Sequence, residues 1–176
     1  QQWNLMGEVG QEVGLLSRQK NALGDVVLHD YNAHNPLELN LDQLAAYVVI
    51  ERHVTETCTA LSSGSPMPVP LCMVVTGRAG TGKSKLLHCA VKCAQEQAGQ
   101  NGVQEPAGFT AVCAFQGAAA IAVHGTTIHS MLGIPLDPCA FQDLGVEKLL
   151  RYQDKFRHLK YIFVEERGMV SGTLMG

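Results

Sequence analysis

Gly77-Arg78-Ala79-Gly80-Thr81-Gly82-Lys83-Ser84 is the stretch on which the reading of this 176-residue chain turns. It fits the pattern G-x-x-x-x-G-K-[ST] in full. Its glycines let the backbone curl so that successive N–H groups point inward at phosphate oxygens. A helix beginning at the end of the loop adds unpaired N–H donors and the positive end of its dipole, which favour an anion. In such a loop the lysine, Lys83, reaches the β- and γ-phosphates, and the Ser84 hydroxyl ligates Mg²⁺. The predicted ligand is a nucleoside triphosphate with Mg²⁺, held by residues 77–85, Lys85 included.

The flanks suit that chemistry. Leu71 to Val75 is a short continuous apolar run, the pattern of a strand buried on both faces. After the glycines, Leu86, Leu87, Ala90, Val91 and Ala94 recur at helical spacing, and Gly99 marks the expected end. Thr110 to Phe115 reads as a second strand, Gly117 to Val123 as a short small-residue helix, and Leu144 to Leu159 as a further helix. Tyr161 to Val164 is a third apolar run. Strands alternating with helices predict an α/β fold around a parallel sheet. Upstream, Asn40 and Gln43 have the spacing of a capping box. The helix it opens has Leu41, Leu44, Ala45, Val48 and Val49 on one predicted apolar face. Ser62 to Pro70 is a loop by composition. Residues 1–39 show no sustained period and form an unassigned N-terminal segment.

Composition narrows the function classes. Hydrophobic residues make up 46% and charged residues 16%, so the chain is no solvated charged tail. The net charge of −3 is opposite in sign to that of a small basic nucleic-acid module, so any DNA contact must be local. The six cysteines, at 58, 72, 89, 93, 113 and 139, contain no C-x-x-C pair. They read as small buried hydrophobes in a reducing compartment rather than zinc ligands. No apolar run approaches the roughly 20 residues of a membrane helix, and Gln1-Gln2-Trp3-Asn4 does not open a signal peptide. Starting without methionine and ending at Gly176, the chain reads as a fragment.

A hydrolysing phosphate-loop protein also needs carboxylates at the end of a neighbouring strand, one for the Mg²⁺ shell and one for the attacking water. Glu165-Glu166 follows the third apolar run directly and fits that place, 82 residues beyond Lys83. The alternative is an exposed acidic pair opening a loop.

Further strings narrow the class. Phe115-Gln116-Gly117-Ala118-Ala119-Ala120 precedes Gly125-Thr126-Thr127-Ile128-His129-Ser130, and Leu149 to Lys160 leads into Tyr161-Ile162-Phe163-Val164-Glu165-Glu166, then Met169-Val170. With the phosphate loop, this order resembles the Pif-one-like ATP-dependent DNA helicases of superfamily one, including the helicase part of Helitron transposons. The resemblance covers roughly residues 40–170. It implies a RecA-like P-loop NTPase sheet, an incomplete motor domain, with residues 40–176 as the N-terminal part of the first helicase motor domain. It implies ATP and Mg²⁺ as cofactors, single-stranded DNA as the partner of the full-length protein, and no membrane. The implied setting is intracellular, nuclear or mitochondrial in a eukaryote, in DNA repair, recombination or telomere maintenance.

Residue by residue, the resemblance makes Lys83, Glu165 and Glu166 catalytic and Ser84 and Glu165 the metal holders. It gives Gln43 to the adenine edge; the capping role beside Asn40 is the alternative. Gln116, Gly117, Thr127 and His129 would lie against DNA, although His129 also suits a buried histidine bonding its own loop. Several positions depart from the family. Glu165 replaces an aspartate, so the carboxylate is one methylene longer, and because Mg²⁺ tolerates little deviation from octahedral distances this predicts a strained shell. Arg167-Gly168 replaces a small apolar–serine pair, Gln116 a threonine and His124 a glycine. Ten residues follow Glu166, whereas the family's polarity-sensing motif, γ-phosphate arginines and second motor domain come later. The expectation is an ATP-binding part that alone does not unwind DNA. Two other readings remain: a decayed or truncated transposon-derived fragment without catalysis, and a small P-loop kinase, for which no arginine-rich lid is visible.

Overall fold

The computed structural model describes residues 16–20 and 26–30 as backbone strands, and residues 35–135 and 145–166 in full. Strands β1 (Leu16–Lys20) and β2 (Val26–Asp30) pair antiparallel, with Leu16 opposite Asp30. This pairing lies in the segment for which no periodicity was visible. A single 3₁₀ turn, Pro36–Glu38, is capped by the Asn35 side chain, which accepts from the Leu37 N–H at 2.9 Å.

Helix α1 (Leu41–Ser63) opens on the predicted capping box. Asn40 Oδ1 accepts from the Gln43 N–H at 2.9 Å, and Gln43 Oε1 accepts from the Asn40 N–H at 3.0 Å. It ends at Gly64, whose φ of 71° is the left-handed C-terminal stop. The buried face is Tyr47, Ile50, Val54, Thr57 and Cys58, not the predicted one starting at Leu41, which is 83% exposed. Both stripes have helical spacing; packing against the next helix selects one of them.

Helix α2 (Lys83–Gln100) buries all five predicted apolar positions. Ile50, Val54 and Cys58 of α1 interlock with Ala90, Ala94 and Ala98 of α2 and with Phe109. The small side chains on α2 let the two helices approach closely. After a 3₁₀ turn (Pro106–Phe109) come β3 (Thr110–Ala114), α3 (Gly117–Ala122), β4 (Thr126–Thr127), α4 (Ile128–Leu132), α5 (Val146–Lys155) and β5 (Tyr161–Glu165). Leu144, where the last predicted helix begins, lies outside the described residues, as do Cys139 and the departures at Arg167 and Gly168.

Among the described residues the central sheet runs β4-β3-β5, all parallel, with Ala114 opposite both Thr127 and Glu165. Side chains alternate across it, as strand geometry requires. Val112 and Phe163 join Leu87 and Val91 of α2, while Cys113 and Val164 join Ile128 and Met131 of α4 and Phe156. Helices therefore cover both faces, as in a partial P-loop NTPase fold. Gly125 brings β4 close to β3: a side chain there would collide with the Val112 carbonyl.

One expectation is corrected. Leu71 to Val75 is not a buried strand; it is irregular and exposed, with Val74 at 55%. A continuous apolar run becomes a strand only where an edge can pair with it. Here the run pairs with neither outer edge of the β4-β3-β5 sheet, and Pro66, Pro68 and Pro70 remove N–H donors just upstream. Of the cysteines, Cys58, Cys89, Cys93 and Cys113 are buried free thiols as expected, but Cys72 is exposed. Burial pushes the Cys93 thiol up to about 12 and Cys113 up to about 11, so both stay neutral and unreactive.

Candidate nucleotide site

The site is assembled from the two ends of α2 and β5. In a parallel sheet, ligands bind beyond the carboxyl ends of the strands. The alternation that directs Tyr161 and Phe163 toward α1 and α2 also places Glu165 on that face, because it is two further on from Phe163. Ser84 lies in the first turn of α2. Strand parity therefore predicts that these two meet, and the Ser84 hydroxyl donates to Glu165 Oε1 at 2.9 Å.

The loop itself is closed by its own lysine. Lys83 Nζ donates to the Gly77 and Arg78 carbonyls, both at 3.0 Å. Thr81 Oγ1 donates to the same Arg78 carbonyl at 2.8 Å. Gly80 and Gly82 have φ of 76° and 79°, the left-handed region that glycine enters freely. At Gly82 a second constraint applies: a Cβ would lie 2.5 Å from Gln43 Nε2. Gly82→Ala is therefore expected to lower stability by about 1–2 kcal/mol from the backbone alone. Urea unfolding checks this, with Gly117→Ala, whose Cβ meets open space, as the comparison.

Gln43 performs its capping role and reaches the loop. While Oε1 serves the capping box, Nε2 donates to the Thr81 carbonyl at 2.7 Å. An amide offers two acceptor sites and two donors, so one of each is still available to an adenine edge. Lys85 is engaged elsewhere: Nζ donates to Glu38 Oε2 at 2.7 Å and lies 3.4 Å from the Glu38 carbonyl. Sequence reasoning did not assign Glu38. Its only signal was an acid just before the capping box.

The oxygen pair at Ser84 and Glu165 fits Mg²⁺. Neighbouring ligands in an octahedron of about 2.0–2.1 Å radius lie about 2.9 Å apart, the separation seen here. Mg²⁺ is typically held by one or two carboxylates together with substrate phosphates, so a larger cluster is not required. Among the described residues there is no group of three or more His, Cys, Asp or Glu that could hold a metal.

Glu166 follows at a φ of 52°, left-handed and unusual for a glutamate. Such strain, of order 1–3 kcal/mol, tends to persist at functional sites. Among the described residues Glu166 makes no hydrogen bond to the loop.

The remaining candidates share the same sheet edge without touching the loop. Gln116 and Gly117 are exposed at the end of β3. Thr127 caps α4, its hydroxyl accepting from the Ser130 N–H at 3.2 Å. His129 is half-buried, its ring packed edge-on against Phe115 at 5.4 Å between centroids.

A glycine-rich loop leading directly into α2, and joined through Ser84 to a carboxylate at the end of a parallel strand, is consistent with a partial P-loop NTPase fold. The model of the PIF1-like helicase family matches residues 58–175, and the chain belongs to that family. It is 30% identical over 103 residues to the ATP-dependent DNA helicase RRM3 of Saccharomyces cerevisiae, covering 57% of this chain and 13% of that protein. It is 34% identical over 103 residues to the ATP-dependent DNA helicase PIF1 of Candida albicans, covering 57% of this chain and 10% of that one. The matches thus span about a tenth of each relative's length. No solved structure matches the chain.

Proposed function

We propose that this chain is the ATP-binding part of an ATP-dependent DNA helicase, with residues 40–176 forming the N-terminal part of its first motor domain. The single observation that carries this is the Ser84–Glu165 contact, which joins the phosphate loop to the strand-end carboxylates. In this reading the backbone amides of residues 77–84 hold the phosphates, and Lys83 exchanges its loop carbonyls for β- and γ-phosphate oxygens. Ser84 and Glu165 hold Mg²⁺, which when bound offsets phosphate charge. Glu166 orients the attacking water. Gln43 adds discrimination for adenine through its unused donor and acceptor.

Single-stranded DNA is the proposed partner of the full-length protein, lying along Gln116, Gly117, Thr127 and His129. The register that sets Thr127 and Glu165 on either side of Ala114 supports a DNA track beside the nucleotide. The same reading gives an intracellular role, nuclear or mitochondrial, in DNA repair, recombination or telomere maintenance. Among the described residues no helix is long and apolar enough to cross a membrane.

Calorimetric titration with ATP, with and without Mg²⁺, tests the reading, followed by a fluorescent single-stranded oligonucleotide. Binding of both is expected. Turnover should stay below about 1 s⁻¹ even with DNA, the lower end of ordinary enzyme rates, because positioned arginines supply orders of magnitude in phosphoryl transfer and, apart from Arg78 within it, no arginine hydrogen-bonds to this loop among the described residues. Faster hydrolysis that disappears in Glu166→Gln overturns the low-turnover expectation. Absence of ATP binding overturns the proposal itself.

A further inference from the structure

A polar cluster far from the phosphate loop joins three parts of the chain. His53, half-buried on α1, has Nε2 2.9 Å from the Val69 carbonyl and Nδ1 2.8 Å from the Tyr161 hydroxyl. Val69 belongs to the irregular connector, residues 66–76, that feeds the loop at Gly77. Tyr161 is the first residue of β5, the strand that ends in Glu165. A second tie fixes the hydroxyl: Tyr161 Oη lies 2.9 Å from Thr57 Oγ1, and Thr57 Oγ1 donates to the His53 carbonyl at 2.8 Å.

The proton on His53 follows from its partners. A carbonyl only accepts, so Nε2 carries the proton and donates to Val69. The single Tyr161 O–H proton is shared between two acceptors, His53 Nδ1 at 2.8 Å and Thr57 Oγ1 at 2.9 Å. Burial holds the Tyr161 hydroxyl protonated, its pKa raised by desolvation. The edge-on packing of the two rings, 5.8 Å between centroids, keeps the imidazole in the one orientation that serves both bonds.

The connector has little else to hold it. Residues 71–75 have no ladder partner and are exposed. Among the described residues, the His53–Val69 bond is the hydrogen bond that fastens residues 66–76 to the rest of the molecule. The loop downstream is held at Thr81 by Gln43 and by Lys83 to its own carbonyls, so its entry depends on the connector.

We propose that His53 is a positioning residue for the nucleotide site: it ties the connector entering the phosphate loop to the strand carrying Glu165, and so sets the two halves of the site against each other. This rests on the nucleotide-binding reading above. It adds a role to a residue 24 positions upstream of the loop's first glycine and outside every motif.

The test compares the full chain with His53→Phe, His53→Gln and Tyr161→Phe by two readouts. Phenylalanine keeps the ring and removes both bonds. Glutamine keeps a donor for Val69, and Tyr161→Phe leaves the Val69 bond but frees the imidazole. The first readout is the rate of chymotryptic cleavage within residues 71–76 of the folded chain, which needs no nucleotide. The second is Mg²⁺·ATP affinity. His53→Phe should speed cleavage of the connector and weaken Mg²⁺·ATP binding, each by about three- to tenfold, the worth of one neutral hydrogen bond. Tyr161→Phe should have a smaller effect in the same direction, and His53→Gln should recover most of the loss. Unchanged cleavage of the connector in His53→Phe, or equal loss in the Phe and Gln variants, overturns the tether. A loosened connector with unchanged affinity overturns its link to the site. Failure of the unaltered chain to bind nucleotide overturns the nucleotide reading, and with it that link, while the cleavage rate still decides the tether.

Discussion

Replacing Lys83 with alanine is expected to weaken ATP binding about ten- to a hundredfold while leaving the fold in place. A charge-assisted hydrogen bond is worth roughly 1.5–3 kcal/mol, which converts to that range of affinity. The structure explains why the effect on folding is small. Lys83 Nζ donates only to the carbonyls of Gly77 and Arg78, in a loop whose residues 77–81 are exposed, and water can replace it there. Its apolar neighbours Leu86 and Leu87, not its ammonium, seat α2 in the core. Calorimetric titration with ATP, alongside circular dichroism of both proteins, checks the prediction. Equal affinities with an intact fold would reject the phosphate-loop assignment. Lys85→Ala is the informative control. Although it is adjacent in the motif, Lys85 is paired with Glu38, and its loss should change affinity less than Lys83→Ala.

The contrast between those lysines shows what was legible in the sequence. The loop, α2, β3 and β5 were readable because each has a local cause: glycines where φ is positive, apolar residues at helical spacing, and short β-rich runs that alternate between two covered faces. Glu165 was readable for the same reason, since strand parity fixes its side of the sheet. The misreadings all depend on what lies across from a segment. Leu71 to Val75 has the composition of a buried strand and lacks a neighbour to pair with. In α1, two stripes of equal quality compete, and α2 selects the one containing Val54. Leu16–Lys20 contains Ser, Arg, Gln and Lys and so has no apolar run to mark its pairing with Val26–Asp30. By its position in the sequence Gln43 suits either a helix cap or a base reader. Its amide caps the helix with one atom and holds Thr81 with the other. Lys85 is paired with Glu38, a partner 47 positions upstream that adjacency to the loop does not reveal.

Glu165 should be the second position with a large effect, confined to binding that involves the metal. Its Oε1 lies 2.9 Å from the Ser84 hydroxyl, the separation of adjacent oxygens around Mg²⁺. Glu165→Gln keeps the length and loses the negative charge. An amide nitrogen cannot ligate a hard cation, and its oxygen is a weaker ligand than a carboxylate. Mg²⁺-dependent ATP affinity should fall about ten- to thirtyfold, the loss of one charge-assisted contact. Glu165→Asp separates two accounts of the extra methylene. If the longer acid strained the shell, shortening it would tighten Mg²⁺·ATP binding. Because the glutamate already meets Ser84 at hydrogen-bonding distance, aspartate instead withdraws the carboxylate by about one carbon–carbon bond, and affinity should fall about three- to tenfold. Both variants should bind ATP as the unaltered chain does when a chelator removes Mg²⁺, since nothing else in the loop contacts Glu165 among the described residues. Titrations with Mg²⁺ and with chelator on all three proteins are decisive. Tighter Mg²⁺·ATP binding by Glu165→Asp would support the strained-shell account. An equal loss with and without Mg²⁺ would show that Glu165 supports the loop rather than the metal.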